Sequence, residues 1–304
     1  MKIIYSEDKQ TIKYLHEDGS ETSLKMELSG KFDKNLTLHK TNNNKYSLVL
    51  SCSSGCQMSC SFCHLTQLKK NYNKLTTPQV AQNIKNVLNH ALLNHPELST
   101  RNIKLCWMGE GEPLLNTTLI KEVSVEVLEY ALSKKYCVGL DGVDISTSFP
   151  SDNKKWKQEI LTLKNFTDIY KTRQNKSSVR LFYSLHSTID VVREKLIPRT
   201  ENPKIVLGKL HDFCRENNID LVNHVTFIEG VNDTQICVDH LIQTLKNKCN
   251  KSELRVLRYN PFNSTTQESL NLKNIIKQLE NSLPNVKIQY SSGTSIKSAC
   301  GMFN

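Results

Sequence analysis

The chain has 304 residues, of which 38% are hydrophobic, and this is enough for one large domain or two smaller ones. A membrane span needs about 18 or more consecutive apolar residues, and the sequence contains no such run. The opening stretch carries charges where a signal peptide requires an apolar segment, so we expect a cytoplasmic protein. The net charge of +10 suits a polyanionic partner such as nucleic acid, although an Asn- and Lys-rich composition would also account for it.

The N-terminal 45 residues alternate polar and apolar side chains on both sides of the turn EDGSE. This pattern predicts a small β extension over residues 1–45. From Tyr46 onward, strand patterns and helix patterns alternate. The predicted strands are YSLVLS (46–51), IKLCWMG (103–109), VDISTS (143–148), VRLFYSLHS (179–187), LVNHVTFIEG (221–230) and LRVLRYNPF (254–262).

Helices are predicted between these strands. The first, TTPQVAQNIKNVLNHALLN (76–94), begins with a threonine cap followed by Pro78 in its first turn. The second is LIKEVSVEVLEYALSKK (119–135), and further helices are centred near Leu163, Leu210, Ile242 and Ile275. Six strand–helix units predict an α/β fold with a parallel sheet, which we expect to form a partial (β/α)6 barrel over residues 46–304. In such barrels the chemistry lies at the carboxyl ends of the strands.

Three cysteines with C-x3-C-x2-C spacing follow the first barrel strand, within SCSSGCQMSCSFCHLTQ (51–67). Clustered thiols in a reducing compartment are more often metal ligands than disulfide partners. A structural zinc site would need four ligands, commonly in two pairs, and Cys60-x2-Cys63 is the only C-x2-C pair in the sequence. The same residues with His64 match the haem attachment pattern C-x-x-C-H, and chance spacing is the remaining alternative. A [4Fe–4S] cluster fits best, because Cys56, Cys60 and Cys63 can hold three of its irons.

The cysteine spacing, with an aromatic residue before the last cysteine, resembles the signature of the radical S-adenosylmethionine (SAM) superfamily. This resemblance implies that the amino and carboxylate groups of SAM occupy the fourth iron. It also implies that Phe62 lies beside the adenine of SAM.

Further blocks resemble the RlmN/Cfr family of radical SAM RNA adenine methyltransferases and appear in the family's order. These blocks are MGEGEPLLN (108–116), STS (146–148), YSLHS (183–187), GVNDT (230–234), YNPFNS (259–264) and GTSIKSACGMFN (293–304). The resemblance covers residues 12–304. It implies SAM contacts from Gly111, Glu112, Ser146, Ser184, Leu185, His186 and Asn260. It also implies that Cys300 is the cysteine that carries a methyl group.

The function implied by this resemblance is methylation of C2 or C8 of an adenine in rRNA or tRNA. These carbons are not nucleophiles, and the family therefore uses SAM twice. Cys300 would first take a methyl group by displacement, and a radical formed from a second SAM would then remove hydrogen from that methyl group. The implied partners are RNA and a flavodoxin- or ferredoxin-type electron donor, and we expect a monomer.

The sequence departs from the family pattern at three places. A helical RNA-binding domain precedes the β extension in family members, and we expect it to be lacking here. The resolving cysteine of the family would fall on Val49, which leaves Cys52 as the candidate. Glu21 is the nearest candidate for the family's general base, although Ser23 holds the strict register. The alternatives are therefore a relative that modifies a peptide, protein or small molecule, and a non-catalytic RNA-binding protein.

Overall fold

The computed structural model describes residues 1–26, 29–32, 38–41, 44–150, 155–173, 176–249, 251–289, 293–298 and 301–303. Its strands are β1 Lys2–Tyr5, β2 Thr11–Leu15, β3 Glu21–Lys25, β4 Ser29–Phe32, β5 Leu38–Thr41, β6 Lys45–Leu50, β7 Ser53–Ser54, β8 Asn73–Lys74, β9 Asn102–Trp107, β10 Leu140–Thr147, β11 Val179–Ser184, β12 Asp220–Val225, β13 Glu253–Leu257 and β14 Val286–Gln289. Its α-helices are α1 His64–Gln67, α2 Thr77–Asn94, α3 Thr117–Ser133, α4 Trp156–Thr167, α5 Asp190–Leu196, α6 Pro203–Glu216, α7 Gln235–Cys249 and α8 Leu272–Ser282.

The barrel sheet consists of parallel strands in the spatial order β6-β9-β10-β11-β12-β13-β14. The first six of these are the six strands expected from the sequence, and the expected helices lie between or after them. The α/β fold with a partial barrel is therefore confirmed. The structure adds β14 after α8, which the sequence patterns do not predict.

Helix α2 illustrates how the local sequence fixes the elements around the sheet. The Thr76 side chain caps the helix and Gln79 bonds back to the Thr76 amide, which forms a capping box, and Pro78 occupies the first turn. Residues spaced three and four apart then bury one face of the helix, from Val80 through Leu92. That face belongs to the main hydrophobic core between the helices and the sheet.

The N-terminal segment extends the barrel sheet at both of its edges. Strands β1, β2 and β3 form an antiparallel meander that pairs with β6. The β4–β5 hairpin pairs with β14 at the opposite edge. Lys25 ends β3 and Ser29 begins β4, and four residues of extended chain span at most about 14 Å. The two edges of the barrel sheet must therefore approach each other where β3 and β4 pair with them. The domain boundary at residue 45 stays a prediction.

Charged side chains fill the interior of the barrel near the amino ends of the strands. Asp144 on β10 is buried and accepts two hydrogen bonds of 2.7 Å from the Arg180 guanidinium. The Lys104 ammonium lies 2.5 Å from the same carboxylate. Burial alone would raise the pKa of Asp144, but Arg180 and Lys104 outweigh it and hold the pKa well below its usual value.

None of the helices in the described ranges combines the length and apolar character needed to cross a membrane.

The Asp144→Asn substitution tests this buried charge group. It leaves two cations without their carboxylate in the barrel interior, so we expect the free energy of unfolding to fall by about 3 kcal/mol or more. Urea denaturation followed by circular dichroism measures the change. Asp212→Asn is the matched control, because Asp212 and its partner Arg215 are 59% and 65% exposed and should contribute less than about 1 kcal/mol. Equal effects of the two substitutions would contradict the importance of the buried group.

Candidate cofactor site

A cavity opens at the carboxyl ends of the barrel strands, and most of the site residues expected from the sequence line it. They come from the loop after β6, from the ends of β9, β10 and β11, and from the segment after β13. These lining residues are Cys56, Cys60, Phe62, Cys63, Gly111, Glu112, Ser146, Ser184, His186 and Asn260. Leu185 is fully buried and does not line the cavity. The fold thus gathers residues that are 200 positions apart in sequence, as expected for a barrel of this type.

The three motif cysteines are neighbours in the cavity wall. Burial raises the pKa of the Cys56 thiol to about 12. Burial, together with the negative charges of Cys63 and Cys56, raises the pKa of Cys60 well above its usual value. Thiols held so close together in a buried site are unfavourable as thiolates unless a cation compensates them.

This donor set fits an iron–sulfur cluster. No group of three or more His, Cys, Asp and Glu side chains in the described ranges converges closely enough to hold one metal ion. A single zinc ion requires all its thiolates about 2.3 Å from one point, whereas a [4Fe–4S] cluster binds each thiolate on a different iron. The loop that carries the cysteines turns through Ser59, whose φ is 57°, and through Gly55, whose φ is 70°.

Glu112 is the most constrained charged group of the site. Its buried carboxylate accepts hydrogen bonds from the Leu114 amide (3.1 Å), the Thr147 hydroxyl (2.5 Å), the Ser148 amide (2.9 Å) and the Ser148 hydroxyl (2.7 Å). Burial raises the pKa of Glu112, although the bonds from Thr147 and Ser148 oppose this effect. The carboxylate therefore ties the loop after β9 to the end of β10.

Arg193 on α5 has the corresponding role between β10 and β11. Its side chain is buried, and its guanidinium donates to the carbonyls of Ser148 (3.0 Å), Ser184 (2.7 Å) and Leu185. Burial lowers the pKa of Arg193, and the negative charges of Tyr183, Cys60 and Glu112 raise it. This arginine thus supplies a positive charge near the cysteines while it holds two strand ends together.

His186 lies directly after β11 in a left-handed conformation, with φ of 49°. Its Nδ1 accepts a hydrogen bond of 3.2 Å from the Thr226 amide, so the proton of the neutral ring lies on Nε2. Burial and the charge of Arg193 lower the pKa of His186 to about 3, which keeps the ring neutral. The Phe62 ring packs against it with centroids 4.6 Å apart.

Gly111 allows the loop after β9 to approach the cysteine loop closely. Its φ of +94° is unfavourable for other residues. A Cβ atom at this position would lie 2.3 Å from Ser53 Oγ and 2.6 Å from Cys52 Sγ. The glycine is therefore required by both the backbone conformation and the available space.

Cys52 and Glu21 are not among the residues that line the cavity. Cys52 is buried, with its Sγ 3.5 Å from the Glu110 carbonyl, and burial raises its pKa well above the usual value. Glu21 is also buried, and its carboxylate lies 2.8 Å from Lys13. The roles expected for both residues stay predictions.

Cys300 lies outside the described residues. The described residues on either side of it are held to distant parts of the chain. Lys13 donates to the Lys297 carbonyl (3.2 Å), and the His64 amide donates to the Gly301 carbonyl (2.9 Å). Gly301 lines the cavity, and Phe303 packs in a small apolar cluster with Cys56 and Cys63.

Several residues of the site are not predicted from the sequence. His224 and Thr226 line the cavity from the end of β12, and Arg193 and Glu110 lie buried next to it. The alternation of inward- and outward-facing residues along a strand could have identified His224 and Thr226, because they continue the inward-facing row of β12. Glu110 forms an ion pair of 2.8 Å with Lys70, and burial raises its pKa to about 7.

Comparison with known proteins gives consistent likenesses. The chain is 29% identical over 263 residues to a probable dual-specificity RNA methyltransferase RlmN of Flavobacterium johnsoniae, which covers 83% of this chain and 67% of that protein. It is 28% identical over 302 residues to the RlmN of Campylobacter jejuni, and the matched region covers 96% of this chain and 77% of that protein. A radical SAM methyltransferase from Sphaerobacter thermophilus superposes with a TM-score of 0.70 at 19% identity, covering 99% of this chain and 80% of that structure. No protein-family model matches the chain.

The likeness to the Sphaerobacter thermophilus structure shows that this chain has the same fold. In sequence, the chain is similar to proteins named RlmN over most of its length.

The Gly111→Ala substitution tests the close contact between the two loops. We expect it to lower the free energy of unfolding by about 1–3 kcal/mol, because the new methyl group overlaps Ser53 and the backbone conformation disfavours alanine. Urea denaturation provides the measurement. Gly208→Ala in helix α6 is the control, since a Cβ there meets no atom within 4 Å, and it should stabilise the protein by about 0.5–1 kcal/mol. A neutral effect at Gly111 would show that the loops have room to separate.

Proposed function

We propose that this protein methylates a ring carbon of adenine, C2 or C8, in rRNA or tRNA, through a methyl group carried on Cys300. The observation that carries the proposal is the convergence of three motif thiols with Gly111 and Glu112 on one cavity at the carboxyl end of the barrel. The similarity to proteins named dual-specificity RNA methyltransferases over most of the chain supports the same reaction.

In this proposal Cys56, Cys60 and Cys63 hold a [4Fe–4S] cluster, and the cavity next to them holds SAM. When bound, the reduced cluster and SAM supply a carbon radical strong enough to abstract hydrogen from a methyl group. The surrounding side chains exclude water and fix the positions of the bound groups. Phe62 offers an aromatic face for the adenine of SAM, and Ser146 and Ser184 offer hydroxyl groups from neighbouring strand ends.

Glu112 would orient the methionine end of SAM. All four of its hydrogen-bond donors belong to the loop after β9 and the end of β10, so the carboxylate is already held in a fixed position. An incoming ammonium group would have to share a lone pair with one of these donors or displace it. Asn260, at the opposite wall after β13, is the other proposed contact.

Cys300 would act as the nucleophile that accepts the first methyl group. The cavity position of Gly301, the next residue, supports this role. Cys52 would then act as a thiolate that attacks the Cys300 sulfur. The disulfide forms as the bond between that sulfur and the transferred carbon breaks, and the carbon keeps the electron pair and takes up a proton. Cys52 Sγ is buried against the Glu110 carbonyl, and a disulfide would require the Cα atoms of Cys52 and Cys300 to lie within about 7 Å of each other. Glu21 stays the candidate base and would first have to lose its pairing with Lys13.

The proposed substrate is consistent with the charge of the chain. A net charge of +10 favours binding to RNA phosphates, and this binding should weaken steeply as salt increases. An adenine inside a folded RNA would have to leave its stack to reach the cavity. The proposal also includes a cytoplasmic location, a small electron-transfer protein as reductant and a monomeric state.

Iron binding tests the first part of the proposal. Protein reconstituted without oxygen should bind about four irons per chain, and Cys56→Ala, Cys60→Ala and Cys63→Ala should each lose most of this iron. Iron analysis and visible absorption provide the measurement. Cys106→Ala is the matched control, because Cys106 is a buried thiol in the same small apolar cluster but is not part of the motif. Full iron content in Cys60→Ala would exclude the proposed ligation.

Methylation of Cys300 tests the second part. Peptide mass spectrometry of protein purified without oxygen should find a methyl-sized mass increase on the peptide that contains Cys300. Cys300→Ala should lack this modification and all transfer of methyl groups to RNA, whereas Cys237→Ala, a partly exposed cysteine on α7, should retain both. A chain that cleaves SAM but never methylates Cys300 would instead be a radical SAM enzyme for another substrate.

A further inference from the structure

A second cavity lies at the opposite end of the barrel, around the amino ends of β11, β12, β13 and β14. Its volume is about 660 Å³, within the usual range for small-molecule sites. Arg180, Asp220, Glu253 and Lys287, which lie at the starts of these strands, form its inner wall. The carboxyl-terminal part of helix α6 and the residues before β11 and β13 complete it. None of the site residues discussed above lines this cavity, which we call the basal cavity.

The charges of the basal cavity are unbalanced. Among its lining residues in the described ranges, six are cationic and two are acidic. The cationic residues are Lys176, Arg180, Arg215, Lys251, Arg255 and Lys287. The acidic residues are Asp220 and Glu253. Arg215 has a partner in Asp212 outside the cavity, but the excess of positive charge remains.

The layer of the barrel that includes Arg180, Glu253, Arg255 and Lys287 of the basal cavity extends the same imbalance to residues outside the cavity. In the described part of the chain, three carboxylates of this layer are each shared by two cations. Asp141 is shared by Lys45 and Arg173, Asp144 by Lys104 and Arg180, and Glu253 by Arg255 and Lys287. Since one carboxylate neutralises one cation, half of this positive charge is uncompensated within the layer.

The titration behaviour of these groups agrees with a positive potential. Burial would raise the pKa of Glu253, but Arg255 and Lys287 outweigh it and lower the pKa. Burial lowers the pKa of Lys176, and the neighbouring Arg173, Arg180 and Lys287 lower it further, against a smaller opposite effect of Asp220. Cations that depress one another's pKa values in this way are stabilised by an anion between them.

We propose that the basal cavity binds a small phosphorylated molecule, with its phosphate groups between Lys176, Lys251, Arg180 and Arg255. Guanidinium and ammonium groups are the side chains that bind phosphate most strongly in proteins. Cys214, Ile219, Leu221 and Val222 give the cavity a small apolar wall that can contact the rest of such a molecule. The volume is larger than a single phosphate requires, which favours a phosphate ester or a diphosphate.

The position of the basal cavity argues against the RNA substrate as its occupant. The basal cavity opens at the amino ends of the barrel strands and the cofactor cavity opens at their carboxyl ends. Their walls approach each other inside the barrel, where Val222 of one and His224 of the other are two residues apart on β12, but their mouths face opposite ends. An RNA whose adenine enters the cofactor site would have to pass around the outside of the barrel to reach the basal cavity. A separate small ligand needs no such path.

Calorimetric titration with inorganic pyrophosphate tests the proposal on the full chain purified without oxygen. We expect one pyrophosphate per chain at a site that SAM does not displace. In the double variant Lys176→Gln, Lys251→Gln the dissociation constant should rise about tenfold or more, because two charge-assisted contacts are lost. Both lysines are exposed, so the variant should fold, and a circular dichroism spectrum matching the unsubstituted protein verifies this.

The matched control is the double variant Lys273→Gln, Lys277→Gln on helix α8, which removes the same charge outside the basal cavity. Its pyrophosphate affinity should stay within about twofold of the unsubstituted protein, because no contact is lost. Absence of pyrophosphate binding, or equal weakening in both double variants, would overturn the proposal. A short RNA provides a further test. If the double variant Lys176→Gln, Lys251→Gln binds this RNA more weakly, and pyrophosphate does not compete with the RNA, then the cavity is an RNA contact and the proposal is wrong. The experiment requires no methyl transfer, so its outcome is independent of the proposed function.

Discussion

The buried carboxylate of Glu112 is the interaction on which the cofactor end of the barrel depends. A charge removed from water is tolerated only when hydrogen bonds replace its hydration, and here four donors from two loops do so. These donors bring the end of β10 against the loop after β9. Arg193 extends the same arrangement to β11, because it binds carbonyls at the ends of both β10 and β11. Three strand ends are thus fixed relative to one another by one buried anion and one buried cation.

The sequence predicts the order of the elements well and their long-range pairing poorly. The six strands and the helices between them follow from local periodicity and from caps such as Thr76, and local signals of this kind do not depend on the rest of the fold. Strand β14 has only four residues and one fully buried position, so its pattern is too short to separate from a loop. The pairing of the β4–β5 hairpin with β14 depends on contacts between the two ends of the chain, which no local pattern contains.

The candidate site shows the same division between local motifs and tertiary contacts. The cysteines, Gly111 and Glu112 lie in short motifs whose chemistry is visible in the sequence, and all of them line one cavity. Arg193 lies in the ordinary helical sequence DVVREKL, where an arginine normally faces solvent. Cys52 shows the reverse situation, because its position near the motif suggests an accessible thiol, whereas the fold buries it beneath Gly111; its expected role stays a prediction. Only the packed fold separates these cases.

The placement of the N-terminal strands has a consequence for how the chain folds during synthesis. The β1–β3 meander can pair with β6 soon after both leave the ribosome, but the β4–β5 hairpin pairs with β14, the last strand in the described part of the chain. Until β14 is made, the hairpin has an unpaired edge that other chains can join. Contacts between distant parts of a chain form slowly, because a long loop must close first. Closure of this barrel therefore cannot precede the synthesis of β14, and a chaperone that covers the hairpin until then would protect the growing chain from aggregation.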